Sequence, residues 1–275
     1  VAPPINDPDY AKLRGNITFD KSKLLPLTSD FGLNPVMPKF KQMFLAGDAS
    51  LVQAIAPPLR NRSHFEGMYN IEAGLPGVGP RNSTSGWLNR LLQQLPAGNV
   101  VKMDALHLGP TPLILAGAAP VMSWTNNPHF TDLLKYPLLK LYEKTDPRLA
   151  SLLQSGLAVD DLALTNAPGT TQPDDKGISA VRVSFRAAAR IMCKANGPRI
   201  AVLDTNGWDT HIGQTAILAN KLSDLDLALD DFRMEMRAAW ANTAVVCVTE
   251  MGRTAAVNGN AGTDHGDASV AFLVG

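Results

Sequence analysis

Between two short apolar runs, Arg199-Ile200-Ala201-Val202-Leu203 and Ala244-Val245-Val246-Cys247-Val248, the chain carries Leu218, Leu222, Leu225, Leu229, Phe232 and Met236. Spacings of four and three residues put these side chains on one stripe of a long helix. The flanking runs are β-branched-rich and short, as buried parallel strands are. An earlier helix is predicted from Ser179 to Lys194, stacking Val181, Phe185, Ala188 and Met192 before the turn Asn196-Gly197-Pro198. Leu51-Val52-Gln53-Ala54-Ile55 reads as a further strand. Helix, strand, helix, strand defines an α/β chain.

The first fifty residues hold Pro3, Pro4, Pro8, Pro26, Pro35 and Pro38 and show little sustained period, which predicts an irregular wrap ending in a short helix near Pro38 to Leu45. Ser85 to Leu95 is predicted helical, Pro128 to Gly156 is predicted to hold two helices around the Asp146-Pro147 break, and Asn166 to Gly177 a loop. No repeat or composition shift marks a boundary, so residues 1–275 read as one domain. The chain lacks an initiator methionine and stops inside Val270 to Val274, which reads as a strand whose neighbours are missing. A domain truncated at both ends is therefore expected.

Hydrophobic residues make up 45% and charged ones 18%, which excludes intrinsic disorder and calls for a large core. Twenty-five basic residues balance 25 acidic ones, so nothing draws the chain to nucleic acid or anionic membrane. The longest nearly apolar run, Leu113 to Met122, is broken by Gly117 and Pro120, and no bilayer-spanning segment is expected. Two cysteines, Cys193 and Cys247, make no disulfide framework and read as core residues.

Phosphate-cradle, dinucleotide, HExxH and nucleophile-elbow patterns are absent. Four polar clusters remain, each at or after the end of a predicted strand, where open α/β sheets collect ligands. In Arg60-Asn61-Arg62-Ser63-His64-Phe65-Glu66, Ser63 stands where a helix begins. It is either a helix cap or a nucleophile favoured by the positive potential there, with Arg60 and Arg62 able to help bind an incoming anion. In Asp204-Thr205-Asn206-Gly207-Trp208-Asp209-Thr210-His211, Asp209 and His211 can reach one cation, or Asp209 or Thr210 can cap the long helix. In Thr249-Glu250-Met251-Gly252-Arg253, Glu250 and Arg253 either pair with each other or serve a site. The glycine-rich Asn258 to Gly266 ends in Asp264-His265, an adjacent pair that a solvated turn does not require.

Ser63-His64-Phe65-Glu66, Gly86-Trp87-Leu88-Asn89-Arg90, Gly207-Trp208-Asp209-Thr210-His211 with Gln214, Glu250 to Arg253, and Asn258-Gly259 with Gly262 to Gly266 resemble domain-of-unknown-function family 1501, in order, from Asn6 to the C-terminus. The resemblance implies an exported bacterial protein, periplasmic or secreted, related to the alkaline phosphatase and sulfatase superfamily. It implies a mixed or parallel sheet flanked by helices, and a small anionic ester as substrate. Ser63, with Arg62 and Arg253, would form the catalytic group of a phosphate or sulfate ester hydrolase. Asp209, His211, Glu250, Asp264 and His265 would ligate one or two divalent ions, Zn, Mn or Ca. Two departures stand out: the superfamily's first strand and its metal-binding Asp have no counterpart here, and no third histidine follows His265. A non-catalytic exported binding protein of the same fold is the alternative.

Overall fold

The computed structural model describes residues 1–59, 61–75, 81–95, 105–125, 132–164, 175, 177–194 and 197–275. Arg60 and most of the loop expected over Asn166 to Gly177 lie outside them. The N-terminal wrap holds a short helix, α1 (Tyr10–Arg14), and a small antiparallel ribbon, β1 (Leu25–Pro26) with β2 (Gly32–Leu33). Helix α2 (Pro38–Ala46) begins with proline at its first turn and ends at Gly47 in the left-handed region. Its free N-terminal groups are met from across the molecule, Phe40 and Lys39 N–H donating to Asp226 at 2.7 and 3.0 Å. An acidic side chain there satisfies orphan donors and opposes the helix dipole.

Two three-stranded sheets follow. In the first, β10 (Ser269–Val274) lies between β3 (Ala49–Ile55) and β7 (Val245–Cys247) and runs antiparallel to both. This corrects the sequence expectation twice. The strand expected to lack neighbours is central, and β3 and β7 are not adjacent parallel strands. Their period-two pattern reflects it: Phe272 and Val274 are buried, whereas Val52, Val246 and Leu273 face outward. In the second sheet, β4 (Ala105–Leu108) lies between β5 (Val121–Trp124) and β6 (Ile200–Leu203), all parallel. Every residue of β4 is buried. Sequence periodicity cannot find so short an element, yet it is the middle of the parallel sheet.

Helices α3 (His64–Ala73) and α4 (Trp87–Leu92) follow the first sheet strand. The expected break at Asp146-Pro147 separates α5 (Asp132–Thr145) from α6 (Pro147–Leu164), which runs past Gly156. Helices α7 (Ala180–Met192) and α8 (Gln214–Met236) pack along one another. Ser179 caps α7 by accepting from Arg182 N–H. Leu222, Leu225, Leu229, Phe232 and Met236 of the expected stripe enter the main core with Phe40, Phe185 and Phe272. Phe40 meets Phe272 edge-on, with ring centroids 5.1 Å apart.

On the same α7–α8 seam, Arg182 pairs with Asp231 at 2.8 Å, while Arg186 and Arg190 reach Glu235 at 3.4 and 3.1 Å and Asp175 at 2.8 Å each. Burial of Arg186, Arg190 and Glu235 is tolerated because cation and anion arrive together. Cys247 on β7 has its thiol pushed up to about 12 by burial, so it stays a core thiol. Among the described residues, no helix is long and apolar enough to cross a membrane.

Last come β8 (Gly252–Arg253) and β9 (His265–Gly266), an antiparallel pair that places the segments after β7 and before β10 side by side. The C-terminal ends of β3, β6 and β7 thereby feed one group of loops.

Candidate metal centre

Three histidines from separate loops aim the same ring nitrogen at one point. His64 opens α3, His211 precedes α8 and His265 lies on β9. The Nε2 atoms of His64 and His265 are 3.1 Å apart, and those of His211 and His265 are 3.2 Å apart. Asp209 stands among them. Its carboxylate oxygens lie 3.3 Å from His64 Nε2, 3.0 Å from His211 Nε2 and 3.2 Å from His265 Nε2.

The other nitrogen of each ring is already engaged. His64 Nδ1 meets Glu250 at 2.6 Å, His211 Nδ1 meets Asp264 at 3.1 Å and His265 Nδ1 meets the carbonyl of Arg62 at 3.2 Å. Ionised carboxylates and carbonyls only accept, so Nδ1 carries the proton in each ring and Nε2 offers a lone pair. Two N–H groups cannot point at each other across 3.1 Å either. The arrangement is repulsive unless a cation accepts the lone pairs. A tetrahedral zinc ion with Zn–N of about 2.0–2.1 Å separates its nitrogens by about 3.3 Å, close to the spacing here. Imidazole donors backed by carboxylates at Nδ1 are the usual supporting shell of such an ion.

Local folding explains the convergence. Gly213, in the left-handed region, precedes α8, whose first N–H groups are taken by the carbonyls of Asn260 and Ala261. Neither Asp209 nor Thr210 caps that helix. Instead Thr210 and Thr263 both donate to Gln214 Oε1, at 3.1 and 2.6 Å, tying the Asp209–His211 loop to the Asp264–His265 loop. Asn258 Nδ2 donates to Asp264 and to the His211 carbonyl, each at 3.0 Å. Gly67 lets α3 approach Glu250, since a Cβ there would meet the Glu250 carbonyl at 2.8 Å. Arg62 adopts a φ of 54°, a conformation L-residues rarely take, and its carbonyl is the one that holds His265.

Charges follow the geometry. Burial raises the Asp209 carboxyl, but hydrogen bonds from His265 and Arg253, with the charges of Arg253 and His211, outweigh it and hold it at about 2. Burial likewise raises Glu250, and its bonds to His64 and Thr249 outweigh that and lower it. Asp264 is lowered by Asn258 and then by His211. His64 is raised, first by its bond to Glu250 and against burial.

Of the residues singled out in the sequence, Asp209, His211 and His265 meet directly. Glu250 and Asp264 lie behind His64 and His211 instead of facing the shared point, because those rings stand between them and the centre. Arg253 turns to Asp209 and to the Thr263 carbonyl and hydroxyl, not to Glu250. Arg62 pairs with Asp267 in solvent, at 3.2 Å. Ser63 occupies the N-cap position of α3 but caps nothing through its side chain. It lines a recess of about 10 Å³ with Arg62, Glu250, Met251, Gly266 and Asp267. The sequence reading passed over His64, noting it only beside Ser63. A histidine at the same strand end as the other clusters was the available signal.

Fold and site define an α/β protein carrying a histidine and carboxylate cluster at the loop ends of its strands. Residues 53–275 match the family described as protein of unknown function DUF1501, and the chain belongs to that family. The match begins within β3, so the N-terminal wrap and α2 lie before it. No curated protein and no solved structure matches the chain.

Proposed function

We propose that this protein is a metal-dependent hydrolase of small phosphate or sulfate esters, with an alkaline phosphatase-like fold and a divalent ion held by His64, Asp209, His211 and His265. The observation that carries the reading is the set of three Nε2 atoms facing one another around Asp209, each with its Nδ1 committed elsewhere. Three imidazoles and one carboxylate favour zinc over calcium, which prefers all-oxygen shells. A divalent ion at that point would lower the pKa of a hydroxyl and neutralise an anionic ester.

The chain's own groups supply the rest. Ser63, at the start of α3, presents its hydroxyl where backbone N–H groups favour a developing negative charge. Glu250 and Asp264 hold the protons on His64 Nδ1 and His211 Nδ1, keeping both Nε2 lone pairs directed inward. Arg253 adds positive charge beside Asp209. The periplasmic or secreted location implied by the family resemblance belongs to the same reading.

Two observations favour the competing reading of a non-catalytic metal-binding protein. Arg62 and Arg253 already have acidic partners, and the recess beside Ser63 has room for about one water. Ser63→Ala separates the two. In the zinc-loaded chain it is expected to cut aryl phosphate or aryl sulfate hydrolysis at least about a hundredfold, with stability within about 0.5 kcal/mol and unchanged metal content. An unchanged rate rejects the nucleophile. Absence of hydrolysis by the unsubstituted, zinc-loaded chain favours the binding protein.

A further inference from the structure

His107, in the middle of β4, is fully buried, and its Nε2 atom has no hydrogen-bond partner. Its Nδ1 lies 3.0 Å from the carbonyl of Gly109. Gly109 has φ of +124°, a value that L side chains rarely adopt. Because a carbonyl only accepts, Nδ1 donates and Nε2 offers a lone pair. The charged atom facing that lone pair is Asp204 Oδ2, 3.4 Å away, immediately after β6 and beside β4. A protonated Nε2 would be expected to donate to this carboxylate, and no such bond forms.

A third donor comes from α3. The Glu72 carboxyl accepts the N–H groups of Leu113 and Ile114. Burial raises its pKa, the nearby charge of Asp204 raises it further, and His107 acts in the opposite sense. A buried imidazole lone pair set against carboxylates is unfavourable without a positive charge among them.

We propose that His107, Asp204 and Glu72 form a second divalent-cation site, separate from the His64 centre. Its donors do not close to within 4.8 Å of one another as those of His64, Asp209 and His265 do, so water completes the shell. One nitrogen, two carboxylates and water suit manganese(II). Asp204, with its side chain 48% exposed, gives the ion its way in. Glu72 lies eight positions after His64 on α3, about 12 Å along the helix axis. That exceeds the roughly 4 Å of a two-metal catalytic pair, so the second ion steadies the scaffold that carries the first. The inference does not depend on hydrolysis or on the first ion.

The test uses manganese(II) alone as probe, on the full chain carrying His211→Ala and His265→Ala to silence the first centre. One ion per chain is expected by electron paramagnetic resonance titration. Adding Asp204→Asn or Glu72→Gln, both milder than replacing buried His107, should weaken binding at least about tenfold, the loss of one charged ligand. A smaller change, or no binding before those substitutions, overturns the site. Should the doubly substituted chain fail to fold, the unsubstituted chain is titrated instead, and Asp204→Asn should reduce two ions to one. Nitrogen-15 NMR gives an independent reading with zinc: His107 Nε2 should shift on zinc addition, and a protonated Nε2 indifferent to zinc contradicts the proposal.

Discussion

The α7–α8 seam and the His64 cluster both gather polar side chains from distant parts of the chain, yet they balance their charges differently. On the seam, Arg182, Arg186 and Arg190 find Asp231, Glu235 and Asp175, so every cation meets an anion supplied by the chain itself. In the cluster, like atoms face like: three imidazole nitrogens crowd one carboxylate, and the remaining carboxylates lie behind the rings. Balanced pairs of the first kind make structure. An imbalance concentrated at one point makes a place for a cation that the chain does not contain.

The sharpest way to break the comparison is to damage each region and ask what is lost. Glu235→Ala leaves Arg186 and Arg190 sharing Asp175 alone and is expected to cost about 3–5 kcal/mol of stability, seen by chemical denaturation. Metal content should not change. If this substitution removed metal, the seam and the cluster would not be separable.

A gentler cut falls inside the cluster. Glu250→Gln keeps the shape but weakens the hold on His64 Nδ1, and it is expected to lower zinc affinity about 10- to 100-fold, roughly 1.4–2.7 kcal/mol, by competition titration. Unchanged affinity would mean that Glu250 does not orient His64.

The smallest effect is one of pH. His64 has its folded-state pKa raised, so in the metal-free chain its contribution to stability is full below about 6.5 and is lost as pH rises through the raised value. Zinc needs the unprotonated nitrogen, so affinity climbs over the same interval. Between about pH 6 and about pH 8 the melting temperatures of metal-free and zinc-loaded chain should therefore move in opposite directions. Parallel shifts would show that His64 is not a ligand.

Sequence and structure agree best where a pattern is local and long. The Leu218 to Met236 stripe becomes α8, and the Asp146-Pro147 dipeptide divides α5 from α6. β4 spans four residues with no period to read, and the partners of β10 are set by pairing with segments far away in sequence. The candidate site divides similarly. Polar residues at strand ends were visible in Asp209, His211 and His265. His64 was hidden beside Ser63, because the orientation of its ring is fixed by Glu250, 186 positions away. The same dependence sent Glu250 and Asp264 behind the centre: sequence names a carboxylate but not which nitrogen it will face.

X-ray absorption on the purified chain with one equivalent of zinc tests the central claim most directly. Three imidazoles and one carboxylate oxygen at about 2.0–2.1 Å are expected, with the imidazole signal reduced by His265→Ala and unaltered by Glu235→Ala. A shell of water and carboxylate without imidazole, or zinc that dialyses away, would contradict it.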